Sequence, residues 1–65
     1  MVNKRIKELR EETGLPATVV ANRTGIDYFR LTRLERGKGV VEPEELKILK
    51  DFYGTTYEYL IEGVK

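Results

Sequence analysis

Arg30, Arg33 and Arg36 recur at every third position, a spacing that on a helix sets three guanidinium groups along one side. A guanidinium is a planar fork of donors that bonds bidentately to phosphate, carboxylate or the O6/N7 edge of guanine. The surrounding charge sharpens that reading. Residues 23–38 carry five cations (Arg23, Arg30, Arg33, Arg36, Lys38) against Asp27 and Glu35, a net +3. Residues 1–22 have a net +1 and residues 39–65 a net −3, so the whole chain's +1 conceals a positive middle. That middle is the candidate face for a polyanion, with a solvated helix surface as the plain alternative.

Other chemistries are poorly supplied. The 65 residues contain no Cys and no His, which removes disulfides, thiolate nucleophiles, imidazole bases and the usual zinc ligands together. Glu42, Glu44 and Glu45 look like charge at a helix start rather than a catalytic constellation. No enzyme activity, cofactor or metal is therefore expected. Apolar runs are only a few residues long, and the first residues, Met1-Val2-Asn3-Lys4-Arg5, have no hydrophobic stretch behind them. A soluble, cytoplasmic protein without a membrane partner is the expectation.

Gly and Pro divide the chain into what read as five helices, and no segment alternates with period two. The first has Asn3 as cap, Ile6 and Leu9 as an apolar stripe, and Gly14 as a left-handed stop. Pro16 suits the first position of the second, which runs through Val19, Val20 and Ala21 to Gly25. Asp27 caps the third, which places Leu31 and Leu34 on one side and ends at Gly37. Pro43 opens the fourth, with the stripe Leu46, Leu49 and Phe52/Tyr53 closed by Gly54. Thr56 starts the fifth, carrying Tyr59, Leu60 and Ile61 before Gly63, whose place near a helix end would suit a linker to a larger domain. A chain this short sits near the lower limit for folding on one apolar core, so residues 1–65 are read as a single all-α domain.

Two short helices around a Gly-centred turn, the second bearing outward cations, meet the needs of a helix-turn-helix spanning about 17–36. One helix braces on the DNA backbone and the next, 27–36, enters the major groove. The chain also resembles the lambda-repressor-like (Xre/Cro type) helix-turn-helix family over residues 3–63. The resemblance is carried by Arg5-Ile6-Lys7-Glu8-Leu9-Arg10, Gly14-Leu15, Ala21, Gly25-Ile26, Leu31, Leu34-Glu35-Arg36-Gly37-Lys38, Leu46, Leu49, Gly54 and Tyr59-Leu60-Ile61-Glu62-Gly63. It implies a compact five-helix bundle that binds double-stranded DNA, often as a symmetric dimer, in repressor-like transcriptional regulators. It further implies a partly buried ion pair between Arg10 and Glu35. Base-reading positions map onto Asp27, Tyr28, Phe29, Arg30, Thr32 and Arg33. Phosphate contacts map onto Arg23, Arg36, Lys38 and the backbone N–H groups of Ala17 and Thr18 at a helix start.

Four residues depart from the family pattern. Ala17 stands where a glutamine usually reaches toward phosphate, and Thr24 where a leucine usually fills the core, so its hydroxyl needs a backbone acceptor. Tyr28 and Phe29 stand where polar readers are customary, and three readings stay open. The rings contact thymine methyls or wedge against bases; or Phe29 turns inward to fill space around Thr24; or Tyr28 and Phe29, with Arg30 and Arg33, form a protein-binding patch, arisen by divergence or by redesign. Val40 and Val41, with Tyr57 and Ile61, suit a self-complementary dimer surface, the alternative being a loop folded over the edge of the core.

Overall fold

Five helices fill the described residues, 2–64, of the computed structural model: α1 (Val2–Thr13), α2 (Ala17–Thr24), α3 (Tyr28–Glu35), α4 (Pro43–Tyr53) and α5 (Tyr57–Glu62), with no strand among them. The expected all-α, five-helix bundle is the fold observed. Met1 and Lys65 lie outside the described residues.

Most helix starts follow local chemistry. Asp27 Oδ2 accepts from the backbone N–H groups of Phe29 (3.0 Å) and Arg30 (3.2 Å), supplying partners that the first turn of a helix lacks. Thr56 caps α5 in the same way, accepting from the Tyr59 N–H at 3.1 Å. Pro43 occupies the first turn of α4, where the Glu42 N–H donates to Glu45 Oε1 at 2.9 Å. Two starts differ from the local reading. Pro16 is the residue before α2 rather than its first member. Asn3 is no cap, because α1 already runs from Val2. Its amide instead donates to the carbonyls of Leu34 (2.9 Å), in the last turn of α3, and Gly39 (3.2 Å), in the loop beyond it.

The core draws on every element: Ile6, Val20, Ala21, Ile26, Leu31, Leu34, Leu49 and Leu60 are each at most 7% exposed. Burying such an aliphatic side chain contributes roughly 1.5–3 kcal/mol, which is what holds together helices too short to persist alone. α1 touches α3, α4 and α5, while α2 touches α3 and α4. In consequence α3 is gripped along its Leu31/Leu34 side and its opposite side is left to solvent. Among the described residues, no helix is long and apolar enough to cross a membrane.

The Tyr53 hydroxyl is buried and, among the described residues, has no hydrogen-bond partner. Burial, reinforced by the negative charge of Glu35, pushes its pKa up to about 12. An unfolded phenol ionises near 10, so the unfolded chain releases this proton at a pH where the folded chain retains it. Stability is thus unaffected below about pH 10 and falls as the pH rises toward about 12. Tyr53→Phe should change stability at pH 7 by no more than about 1 kcal/mol and should lose less stability than the parent between pH 9 and 11. Urea unfolding across that range reads both.

Candidate nucleic-acid interface

The turn between α2 and α3 is residues 25–27, and each has its own task. Gly25 takes a left-handed φ of +78°, which strains any residue with a Cβ, and its N–H closes onto the Ala21 carbonyl at 2.9 Å. Ile26 drops into the core. Asp27 then starts α3. The Thr24 hydroxyl donates to the Val20 carbonyl at 2.7 Å and accepts from the Ile26 N–H at 3.3 Å. A polar residue at a core position is therefore satisfied by its own helix and by the turn it precedes.

At the far end of α3, Glu35 is 8% exposed and faces Arg10. Arg10 Nε lies 2.8 Å from Glu35 Oε2, Nη2 lies 2.9 Å from Oε1, and Nη1 donates to the Leu15 carbonyl at 3.0 Å. The hydrogen bonds to Glu35 raise the Arg10 pKa further above its ordinary value. This fork, together with the Asn3 amide, fixes the C-terminal end of α3 against α1, while the Asp27 cap fixes its beginning.

On the outer side, Tyr28 is 41% and Phe29 70% exposed, their rings meeting edge-on with centroids 5.4 Å apart and planes at 79°. The reading in which Phe29 turns inward is thereby corrected: Leu31 and Leu34 take the inner side, and the neighbourhood of Thr24 needs no ring. Tyr28 and Phe29 share a shallow concavity with Thr32, Arg33 and Arg36. The Thr32 hydroxyl donates back to the Phe29 carbonyl at 3.1 Å.

Arg30 corrects a second expectation. Its guanidinium is not presented outward with that of Arg33. Nε lies 2.9 Å from Glu45 Oε2, and Nη2 donates to Glu45 Oε1 at 2.9 Å and to the Val40 carbonyl at 2.8 Å. The first turn of α4 arrives beside α3 and brings the carboxylate within reach. The hydrogen bond from Arg30 holds the Glu45 carboxyl below its ordinary value, so the pair persists until the medium is more acidic than a free glutamate would require. Gly39 makes room for this fork, since a Cβ there would lie 3.3 Å from Arg30 Nη1 on a backbone whose φ is +87°. Asp27, also placed among base readers, has one carboxylate oxygen committed to the cap. No spacing rule links residues 15 apart, and Glu45 read only as charge at a helix start.

The two motif helices start differently. The Asp27 carboxylate occupies the start of α3, whereas α2 follows Pro16 with no side-chain cap. Arg23, Arg36 and Lys38 are all exposed. Elsewhere, Val40 (76% exposed) and Ile61 (53%) line one groove with Val41, Val2, Asn3 and Leu46. Val41 itself packs on the core edge. Tyr57 is absent from that lining, and its ring sits 5.0 Å from the Lys50 ammonium.

This arrangement is a recognised one: the helix-turn-helix domain family matches residues 4–60, from α1 into α5. The chain belongs to the helix-turn-helix domain family. A lambda-repressor-like (Xre/Cro type) member is compatible with that assignment. The HTH-type transcriptional regulator DdrOP3 of Deinococcus deserti is 39% identical over 62 residues, which cover 95% of this chain and 48% of that protein. The helix-turn-helix chain thus spans about half the length of the curated relative it matches. No solved structure gives a significant match. In this helix-turn-helix domain the motif is α2, the turn 25–27 and α3, and the unburied side of α3 is the one that carries Phe29, Arg33 and Arg36.

Proposed function

We propose that this chain is the DNA-binding domain of a repressor-like transcriptional regulator, acting in the cytoplasm by binding rather than catalysis, with α3 seated in the major groove. The observation that carries the reading is the two-sidedness of α3: Leu31 and Leu34 are fully buried, while Phe29, Arg33 and Arg36 stand exposed on the side facing away from the bundle. Tyr28, Phe29, Thr32 and Arg33 then meet base edges. Arg23, Arg36, Lys38 and the N–H groups of Ala17 and Thr18 meet phosphates. Arg30 braces the loop before α4 instead of reading a base. A twofold dimer through Val40, Val41 and Ile61, with Tyr57 at its margin, sets two α3 helices about one DNA turn apart, roughly 34–36 Å.

Selection of bound duplexes from a random pool, followed by affinity measurements against salt, tests the proposal. The expected product is a palindrome whose half-sites repeat at about one helical turn. Affinity should fall steeply with salt, with a log–log slope of about −0.9 for each phosphate neutralised. Three exposed phosphate cations per subunit then contribute a slope of about −3 per half-site. Binding indifferent to salt, or a pool that shows no enrichment, overturns the reading.

A further inference from the structure

Phe29 is the most exposed ring on the side of α3 that carries Arg33 and Arg36. Its ring meets that of Tyr28 edge-on, with centroids 5.4 Å apart, and the residue is still 70% exposed. The Thr32 hydroxyl spends its hydrogen on the Phe29 carbonyl. The concavity shared by Tyr28, Phe29, Thr32, Arg33 and Arg36 accordingly sets two aromatic rings beside two guanidinium groups. An occupant must bring acceptors for the guanidiniums, a phosphate for Arg36 and a base edge for Arg33, and an apolar projection for the ring. The DNA major groove offers both: phosphate rows flank it, and the C5 methyl of thymine is the apolar group that its base pairs project there.

We propose that Phe29, propped on Tyr28, recognises the C5 methyl group of a thymine, which makes this chain selective for a 5-methylpyrimidine at a defined position of its DNA site. The assignment rests on α3 occupying the major groove. Replacing thymine by deoxyuridine removes that methyl and leaves every hydrogen-bonding group of the base in place, so the substitution isolates the contact.

The experiment takes the duplex best bound in selection and replaces its thymines by deoxyuridine one at a time. At one or two thymines per half-site, the wild-type Kd should rise about three- to fivefold, the factor for taking one methyl group out of water. Phe29→Ala should bind the thymine duplex about as weakly as the wild type binds the deoxyuridine duplex, and should not distinguish the two. Phe29→Leu should retain part of the preference. The side chain is 70% exposed, so both variants should melt with the wild type. Absence of salt-dependent DNA binding overturns the groove placement of α3 and this proposal with it. Salt-dependent binding with no deoxyuridine penalty in the wild type, or with the full penalty kept in Phe29→Ala, overturns methyl recognition alone. Sedimentation of the proteins without DNA examines a different occupant: self-association that vanishes in Phe29→Ala assigns the ring to a second copy and likewise overturns the proposal.

Discussion

Replacing Arg10 by methionine should lower stability by about 3–5 kcal/mol, the usual consequence of removing one partner from a buried ion pair. The loss comes from Glu35, which is 8% exposed and would keep its carboxylate in the interior with its guanidinium partner gone. At roughly 0.05–0.15 kcal/mol per residue, a chain of 65 residues has only about 3–10 kcal/mol of total stability. The Tm should therefore drop by at least about 12 °C, at 4–8 °C for each kcal/mol in a fold of this size. Pairing the change with Glu35→Leu should recover much of the loss, since an apolar pair of similar volume removes the stranded charge. Thermal unfolding of the single and double variants followed by circular dichroism measures both; an Arg10→Met protein that melts with the wild type would show the pair contributing no more than an exposed one. The effect reaches function because the same fork holds the C-terminal end of α3 against α1.

Arg33→Ala should abolish discrimination at one base pair of each half-site, worth about 1–3 kcal/mol or roughly five- to 150-fold in relative affinity. Arg33 is exposed on the same face as Phe29, and in the proposed reading its guanidinium is the one directed at a base. Arg30→Ala provides the contrast. That guanidinium is engaged with Glu45 and the Val40 carbonyl, so its loss should leave base preference in place and loosen the loop that carries Val40. Competition binding against duplexes varied at every position separates the two outcomes. If Arg30→Ala erased the preference and Arg33→Ala spared it, the assignment of roles along α3 would be reversed. Lys38→Ala and Arg36→Ala should instead weaken all duplexes alike and make the salt slope shallower by about 0.9 each.

What could be read from the chain alone was governed by local rules. Asp27, Pro43 and Thr56 announce helix starts because a side-chain acceptor or a fixed φ acts within three or four residues of itself. Leu31 and Leu34, like Ile6 and Leu49, reveal the buried side because helical period alone sets which residues share it. The helix-turn-helix was legible both in two short helices around a Gly-centred turn and in the resemblance to a family, whereas the Arg10–Glu35 pair came from the resemblance and from no spacing rule, since 25 residues separate the two charges.

The tertiary structure decided which groups remain free. By helical period Arg30, Arg33 and Arg36 are alike, three cations on the outer side of one helix. Only the docking of α4 distinguishes them, because among the described residues it carries Glu45 to Arg30 and pairs no carboxylate with Arg33. The same holds for Asn3, a plausible cap until the end of α3 and Gly39 come within reach of its amide. A side chain's choice among partners depends on distances between segments far apart in sequence, and those distances exist only after the core has closed. The residue types and their order thus set where the helices lie and which stripe each one buries; the closed core gave Asn3, Arg10 and Arg30 their partners and left Arg33 exposed.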